Sequence, residues 1–145
     1  AKQRNSSSVY SEMDVQALKD TFEFFDDWED KYRFVIDLGK DLPSLSESER
    51  IDENIIRGCQ SQVWLVHEIK ENTLHFAMDS DAHIVRGLIS IVLIALNNRS
   101  ANDILATDIE ALFEELQLLS HLSATRGNGL RAMIQRIQQI AAAAI

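Results

Sequence analysis

The sequence predicts an α+β domain, with helices packed on a small antiparallel β-sheet. Three observations lead there. Apolar residues recur at three- and four-residue spacing over most of the chain, the mark of amphipathic helices. One central stretch, from Gln62 to Met78, switches to a period of two, the mark of half-buried strands. One proline and five glycines leave few breakers, which favours long helices over a turn-rich sandwich. With 145 residues, 46% hydrophobic and 26% charged, the chain is long enough for one core and too apolar for disorder throughout. A single domain is expected over 12–145, after a polar leader over 1–11 that contains Ser6-Ser7-Ser8.

The first helix is read from Val15, Leu18, Phe22 and Phe25, which share one face, with Asp14 as its cap. A break falls at Asp26-Asp27, after which Trp28, Tyr32, Val35 or Ile36, and Leu38 continue the stripe. Gly39 is the expected left-handed stop, with Pro43 shortly beyond. Ser44 to Asn54 is a polar, acidic connector with room for one helical turn. Two strands then alternate, one through Val63, Leu65, His67 and Ile69, the other through Leu74, Phe76 and Met78, joined by a turn at Lys70-Glu71-Asn72. A third short strand is expected near Asn54 to Arg57. Ser80 or Asp79 is the expected cap of the next helix, and Asp81 suits its positive N-terminal end. That helix, Ile84 to Leu96, is apolar nearly all round, so it reads as central and buried; at 13 residues it is too short to span a bilayer, which takes about 20. Ser100 to Ala106 forms a short helix, and Ile109, Leu112, Phe113 and Leu116 form another. The last begins near Thr125 and carries Leu130, Met133, Ile134 and Ile137 inward.

Charge narrows the partners. Lys and Arg number 14 against 23 Asp and Glu, a formal net charge of −9. Nucleic acids and anionic membranes need clustered positive charge, so neither is expected as a partner, whereas a basic protein surface is allowed. One cysteine excludes an internal disulfide framework and any multi-thiolate metal site within one chain, and suits a reducing cytoplasm. The four histidines, His67, His75, His83 and His121, lack metal-ligand spacing, even with His67 and His75 facing each other across the hairpin, so no metal site is expected. Gly127-Asn128-Gly129 lacks the strand and the Lys-Ser or Lys-Thr of a phosphate loop. Acidic pairs such as Glu114-Glu115 read as solvated helix faces.

Cys59 remains. A lone cysteine is commonly a small buried hydrophobe. This one follows Gly58, precedes Gln60-Ser61-Gln62, and sits where an irregular segment meets a strand. Glycine permits a tight loop there, loop N–H groups can stabilise a thiolate, and Arg57 adds a positive charge nearby in sequence. Such a position suits sulfur or acyl chemistry.

The segment Gly58-Cys59-Gln60-Ser61-Gln62-Val63-Trp64 resembles the SufE/CsdE family of sulfur acceptors. So do Trp28-Glu29-Asp30-Lys31-Tyr32, Leu38-Gly39-Lys40-Asp41-Leu42-Pro43, Asp79-Ser80-Asp81, Ile84-Val85-Arg86-Gly87-Leu88, and Leu122 to Leu130, in the same order along the chain. The resemblance implies a fold of helices against a small curled antiparallel sheet, shared with scaffold proteins of cluster assembly. It implies that Cys59 accepts sulfane sulfur from a cysteine desulfurase, SufS- or CsdA-like, and carries it as a persulfide. The sulfur then passes to iron–sulfur cluster assembly, on an acceptor such as a SufB-like scaffold, or to a related pathway. The pyridoxal phosphate belongs to the desulfurase, so no cofactor is implied for this chain, which acts as a sulfur-transfer partner more than a stand-alone enzyme. Arg126 matches the family's arginine at the start of the last helix, and Asp81 an acidic position at the start of the central one; with Gly58 and Gln60 they are the implied site supports or docking residues. For Arg126 a plain surface ion pair is the competing reading, and for Trp64 sheet packing is preferred. An adaptor that activates the desulfurase without carrying sulfur is the alternative function.

Overall fold

The computed structural model describes residues 13–145. The expected leader over 1–11 lies outside the described residues.

Helix α1 (Val15–Phe24) starts where Asp14 accepts the Ala17 N–H at 2.8 Å, and buries Leu18 and Phe22. Phe25 turns extended at its end, half-buried against Phe34. Asp27 accepts the Asp30 N–H at 2.9 Å and opens α2 (Trp28–Asp41), so the break at 26–27 is a helix boundary with its own cap. The expected stop at Gly39 does not occur. Helix α2 runs through Gly39 to Asp41, and Leu42 turns extended just before Pro43, whose ring disfavours a helical predecessor. Gly39 serves a close crossing instead: a Cβ there would lie 2.7 Å from the backbone nitrogen of Gly87.

The connector 44–54 buries Leu45 and contains one 3₁₀ turn, Asp52–Asn54. The expected third strand shrinks to a single bridge between Ile55 and Trp64, held by the Ile56 N–H on the Val63 carbonyl at 2.9 Å. Strands β1 (Val63–Lys70) and β2 (Thr73–Ser80) form an antiparallel hairpin, in register from Val63 opposite Ser80 to Lys70 opposite Thr73. Its two-residue turn places Glu71 and Asn72 at φ 51° and 68°, the left-handed pair that matches strand twist. His67 lies opposite Phe76 and His75 opposite Glu68, so the two histidines do not face each other; neighbouring register positions alternate faces. Leu74, Phe76 and Met78 are buried as the alternation requires, but β1 is buried only over Val63–Leu65, and Ile69 is exposed at the hairpin's outer end.

Helix α3 (His83–Leu96) is the central element, buried nearly all round from Ile84 to Leu96. No side chain caps it: Ala82 stands at its N-cap. Asp79, offered as a cap, is instead buried at the end of β2, where its carboxylate accepts the N–H groups of Leu45 (3.0 Å) and Ser80 (2.8 Å) and pairs with Arg86. The Ser80 hydroxyl accepts the Ala82 N–H at 3.2 Å, in the turn before the helix. Helix α3 packs on α2 and on β2. Short helices α4 (Ala101–Ala106) and α5 (Ile109–Glu115) follow, capped by Ser100 and Asp108. Helix α6 (Ala124–Ala143) is capped by Ser123, packs against α4, and turns Leu130, Met133, Ile134 and Ile137 into the core. No described helix is long and apolar enough to cross a membrane. The α+β class stands, with the sheet reduced to one hairpin among the described residues.

Candidate functional site

The loop between Ile56 and Val63 is held at both ends. At one, Ile56 bonds to Val63. At the other, the Asp81 carboxylate accepts the Gln62 N–H at 3.0 Å, while the Asp81 N–H donates to the Gln62 carbonyl at 3.3 Å. The chain between these clamps must turn sharply, and Gly58 makes the turn at φ 94°, a conformation that costs L side chains roughly 1–2 kcal/mol. A Cβ on Gly58 would also come within 3.3 Å of the Ala132 side chain on α6. The positive φ is the main reason for glycine here, and the tight approach to Ala132 adds to it.

Cys59 follows and is half-buried against α6. Its thiol donates to the Gly129 carbonyl at 3.5 Å. The facing turn of α6 carries Gly127 and Gly129, each costing a helix interior about 1 kcal/mol relative to alanine. A Cβ on Gly129 would stand 3.6 Å from the cysteine sulfur. Burial raises the Cys59 pKa above its ordinary value. The stabilised thiolate expected from loop N–H groups and Arg57 is therefore not the resting state. The sulfur bonds to a carbonyl, which favours the protonated thiol, and Arg57 is exposed and does not border the sulfur's cavity.

That cavity is small, about 20 Å³ of space open to the centre of a water molecule. Roughly 10–15 Å³ by this measure holds one water, so the space admits about one added atom of sulfur's size. Its walls are mostly apolar: Val63 from the hairpin, Val85 and Leu88 from α3, Leu130 and Met133 from α6. Gln60, Ser61, Thr125 and Arg126 supply the polar rim. Arg126 is half-buried, spends its backbone N–H on the Ser123 cap, and makes no ion pair with a described residue.

The structure thus brings Cys59, Gln60 and Arg126 to one cavity, with Gly58 making the adjoining turn. It does not bring Asp81 there; that residue acts on the loop's far end, through Gln62. Trp64 is buried in the hairpin, in keeping with packing. Gly129 and Met133 also border the site, though the sequence marks Met133 only as an inward core residue of the last helix and Gly129 only within the resembling segment Leu122 to Leu130. For Gly129 the further signal is a glycine pair at the start of a long helix, where propensity alone gives no reason for glycine. Among the described residues, no three His, Cys, Asp or Glu side chains cluster to hold a metal ion.

Similarity to known proteins agrees with this architecture. A family model for SufE, described as an Fe-S metabolism associated domain, matches residues 16–141. An uncharacterized SufE-like protein of Rhizobium etli is 50% identical over 129 residues, covering 86% of this chain and 87% of its own. A second from Rhizobium meliloti is 48% identical over 128 residues, covering 86% and 91%. The solution structure of a hypothetical protein from Thermus thermophilus superposes with a TM-score of 0.72 at 14% identity, over 90% of this chain and 94% of that one, and so shares the fold. The match across nearly the whole described chain, with two relatives at about half identity, places this protein in the SufE family of Fe–S metabolism.

Proposed function

We propose that this protein accepts sulfane sulfur on Cys59 from a pyridoxal-phosphate cysteine desulfurase, stimulates that enzyme, and hands the sulfur to Fe–S cluster assembly or a related pathway. The observation that carries the reading is the cavity beside Cys59: apolar, sized for about one atom, and bordered by the chain's single thiol. A sulfur held there is kept from the thiols and oxidants of bulk solvent.

The chemistry is thiol exchange. Cys59 gives up its proton to solvent, and the thiolate attacks the terminal sulfur of the donor's cysteine persulfide. A new S–S bond forms on Cys59, the donor's S–S bond breaks, and the donor cysteine leaves as thiolate. No external oxidant or reductant is consumed. In the free protein burial and the Gly129 carbonyl hold Cys59 as a thiol, so the loop must move for transfer. The turn at Gly58 gives it the means, and a partner that binds the exposed loop better than the buried one supplies the drive. A net charge of −9 suits a partner with a basic face.

The test is direct. Incubate the protein with a cysteine desulfurase and L-cysteine, then take intact and peptide masses without reductant. One added sulfur on the peptide containing Cys59 is expected, absent in Cys59→Ser. Unmodified protein beside an active desulfurase overturns the reading. Full stimulation by Cys59→Ser would make the protein an adaptor instead.

A further inference from the structure

Loading changes the chemistry of the very atom that Gly129 holds. In the unloaded protein Cys59 Sγ carries a proton and donates it to the Gly129 carbonyl. Once a second sulfur is attached, Sγ is bonded to carbon and to sulfur and carries no proton. The bond to Gly129 is then lost, and two electron-rich atoms face each other where a donor faced an acceptor. The ionisable proton moves to the terminal sulfur, which is more acidic than the parent thiol and goes on as an anion. Val63, Val85, Leu88, Leu130 and Met133 give an anion nothing to pair with, and an unpaired buried charge is costly. The cavity's one cationic side chain is Arg126, unpaired among the described residues.

We propose that the sulfur is held by two different latches: the Gly129 carbonyl retains the empty thiol, and the Arg126 guanidinium retains the loaded persulfide anion. This rests on the function proposed above and assigns Arg126 a positioning role in the loaded state. The guanidinium reaches the terminal sulfur from the cavity rim, so the sulfur stays shielded until a partner protein displaces the loop.

The experiment loads the protein without a desulfurase, using inorganic polysulfide, and removes excess reagent. Wild type, Arg126→Ala and Arg126→Lys are compared, each checked by mass for one added sulfur on Cys59. Reduced glutathione is then added, and the return to the unloaded mass is followed with time. Loss from Arg126→Ala is expected to be about tenfold faster than from wild type, the effect of removing an opposite charge at close range, with Arg126→Lys in between. Thermal unfolding of the unloaded variants should agree within a few degrees, which separates latch from fold. Equal loss rates in wild type and Arg126→Ala overturn the proposal, as does failure of Cys59 to hold any sulfur from polysulfide. Loading by polysulfide but never by a desulfurase would overturn the proposed function alone, and the comparison of loss rates would still decide the latch.

Discussion

Two places in this molecule are built from the same parts, a helix glycine, a close chain approach and an arginine, with opposite results. Where α2 crosses α3, Gly39 and Gly87 face each other and the neighbouring polar side chains are paired. Arg86 donates to the carbonyls of Gly39 and Leu42 and pairs with Asp79, which also accepts from Leu45 and Ser80. Where the Cys59 loop meets α6, Gly129 faces a sulfur and a cavity remains, with an arginine on its rim that has no ion partner among the described residues. The first place is tightly packed and paired. The second is left under-packed and under-paired, which costs stability but leaves room for a cargo atom and for loop movement. Structure and function here differ in how completely the neighbours are used.

The largest effect should come from breaking the closed region. Asp79→Ala would remove the partner of a largely buried guanidinium and orphan two backbone donors at once. Breaking a buried pair from one side costs about 3–5 kcal/mol, so Asp79→Ala should lower the melting temperature by roughly 10 °C or more, read by circular dichroism. A loss of under 3 °C would mean that the network is ornamental and the contrast between the two regions false.

The second effect tests the crossing itself. A Cβ on Gly87 would lie 2.1 Å from the Val35 carbonyl oxygen, on backbone that cannot swing aside. Gly87→Ala should therefore destabilise by about 2–3 kcal/mol, even though alanine is the better helix former by about 1 kcal/mol. Chemical denaturation with an unchanged slope would assign the loss to native packing. Tolerance of alanine would mean that the helices can part, and that Gly87 is no different from Gly129.

These two regions are not equally legible in the sequence. The stripes through Leu18 and Phe22, and through Leu130, Met133 and Ile137, reveal their helices because burial follows a period that one chain segment displays alone. The Asp14 cap is local and readable for the same reason. Gly39 reads as a stop because the residue that explains it, Gly87, is far away in sequence. Asp79 reads as a cap because its partners, Leu45 and Arg86, come from separate segments. Cys59 stands out as the single thiol in a glycine-bearing loop, but its bond to Gly129 joins positions 70 residues apart, and neither the protonated resting state nor the cavity can be read from the loop. Arg126 is singled out by resemblance, while its place on the cavity rim comes from the fold.

The smallest effect on stability is the one that separates the regions most sharply. A Cβ on Gly129 would meet the Cα and Sγ of Cys59 at 3.6 Å, ordinary van der Waals contact that needs no neighbour to shift. Gly129→Ala removes a glycine from the first turns of α6, where alanine gains about 0.5–1 kcal/mol from helix propensity and a less flexible unfolded chain. The melting temperature should therefore rise by roughly 2–4 °C, the reverse of Gly87→Ala. Yet the added methyl borders a cavity of only about 20 Å³ and takes up part of the space for a second sulfur. Sulfur loading of Cys59, followed by mass with a desulfurase and L-cysteine, should slow by several-fold in this more stable protein. An alanine that raises stability and leaves loading untouched would show that the sulfur does not need the cavity. An alanine that lowers both would make Gly129 a packing glycine like Gly87. Only the opposed pair, firmer helix and poorer carrier, fits a site where glycine is kept for the room it leaves rather than for the contact it permits.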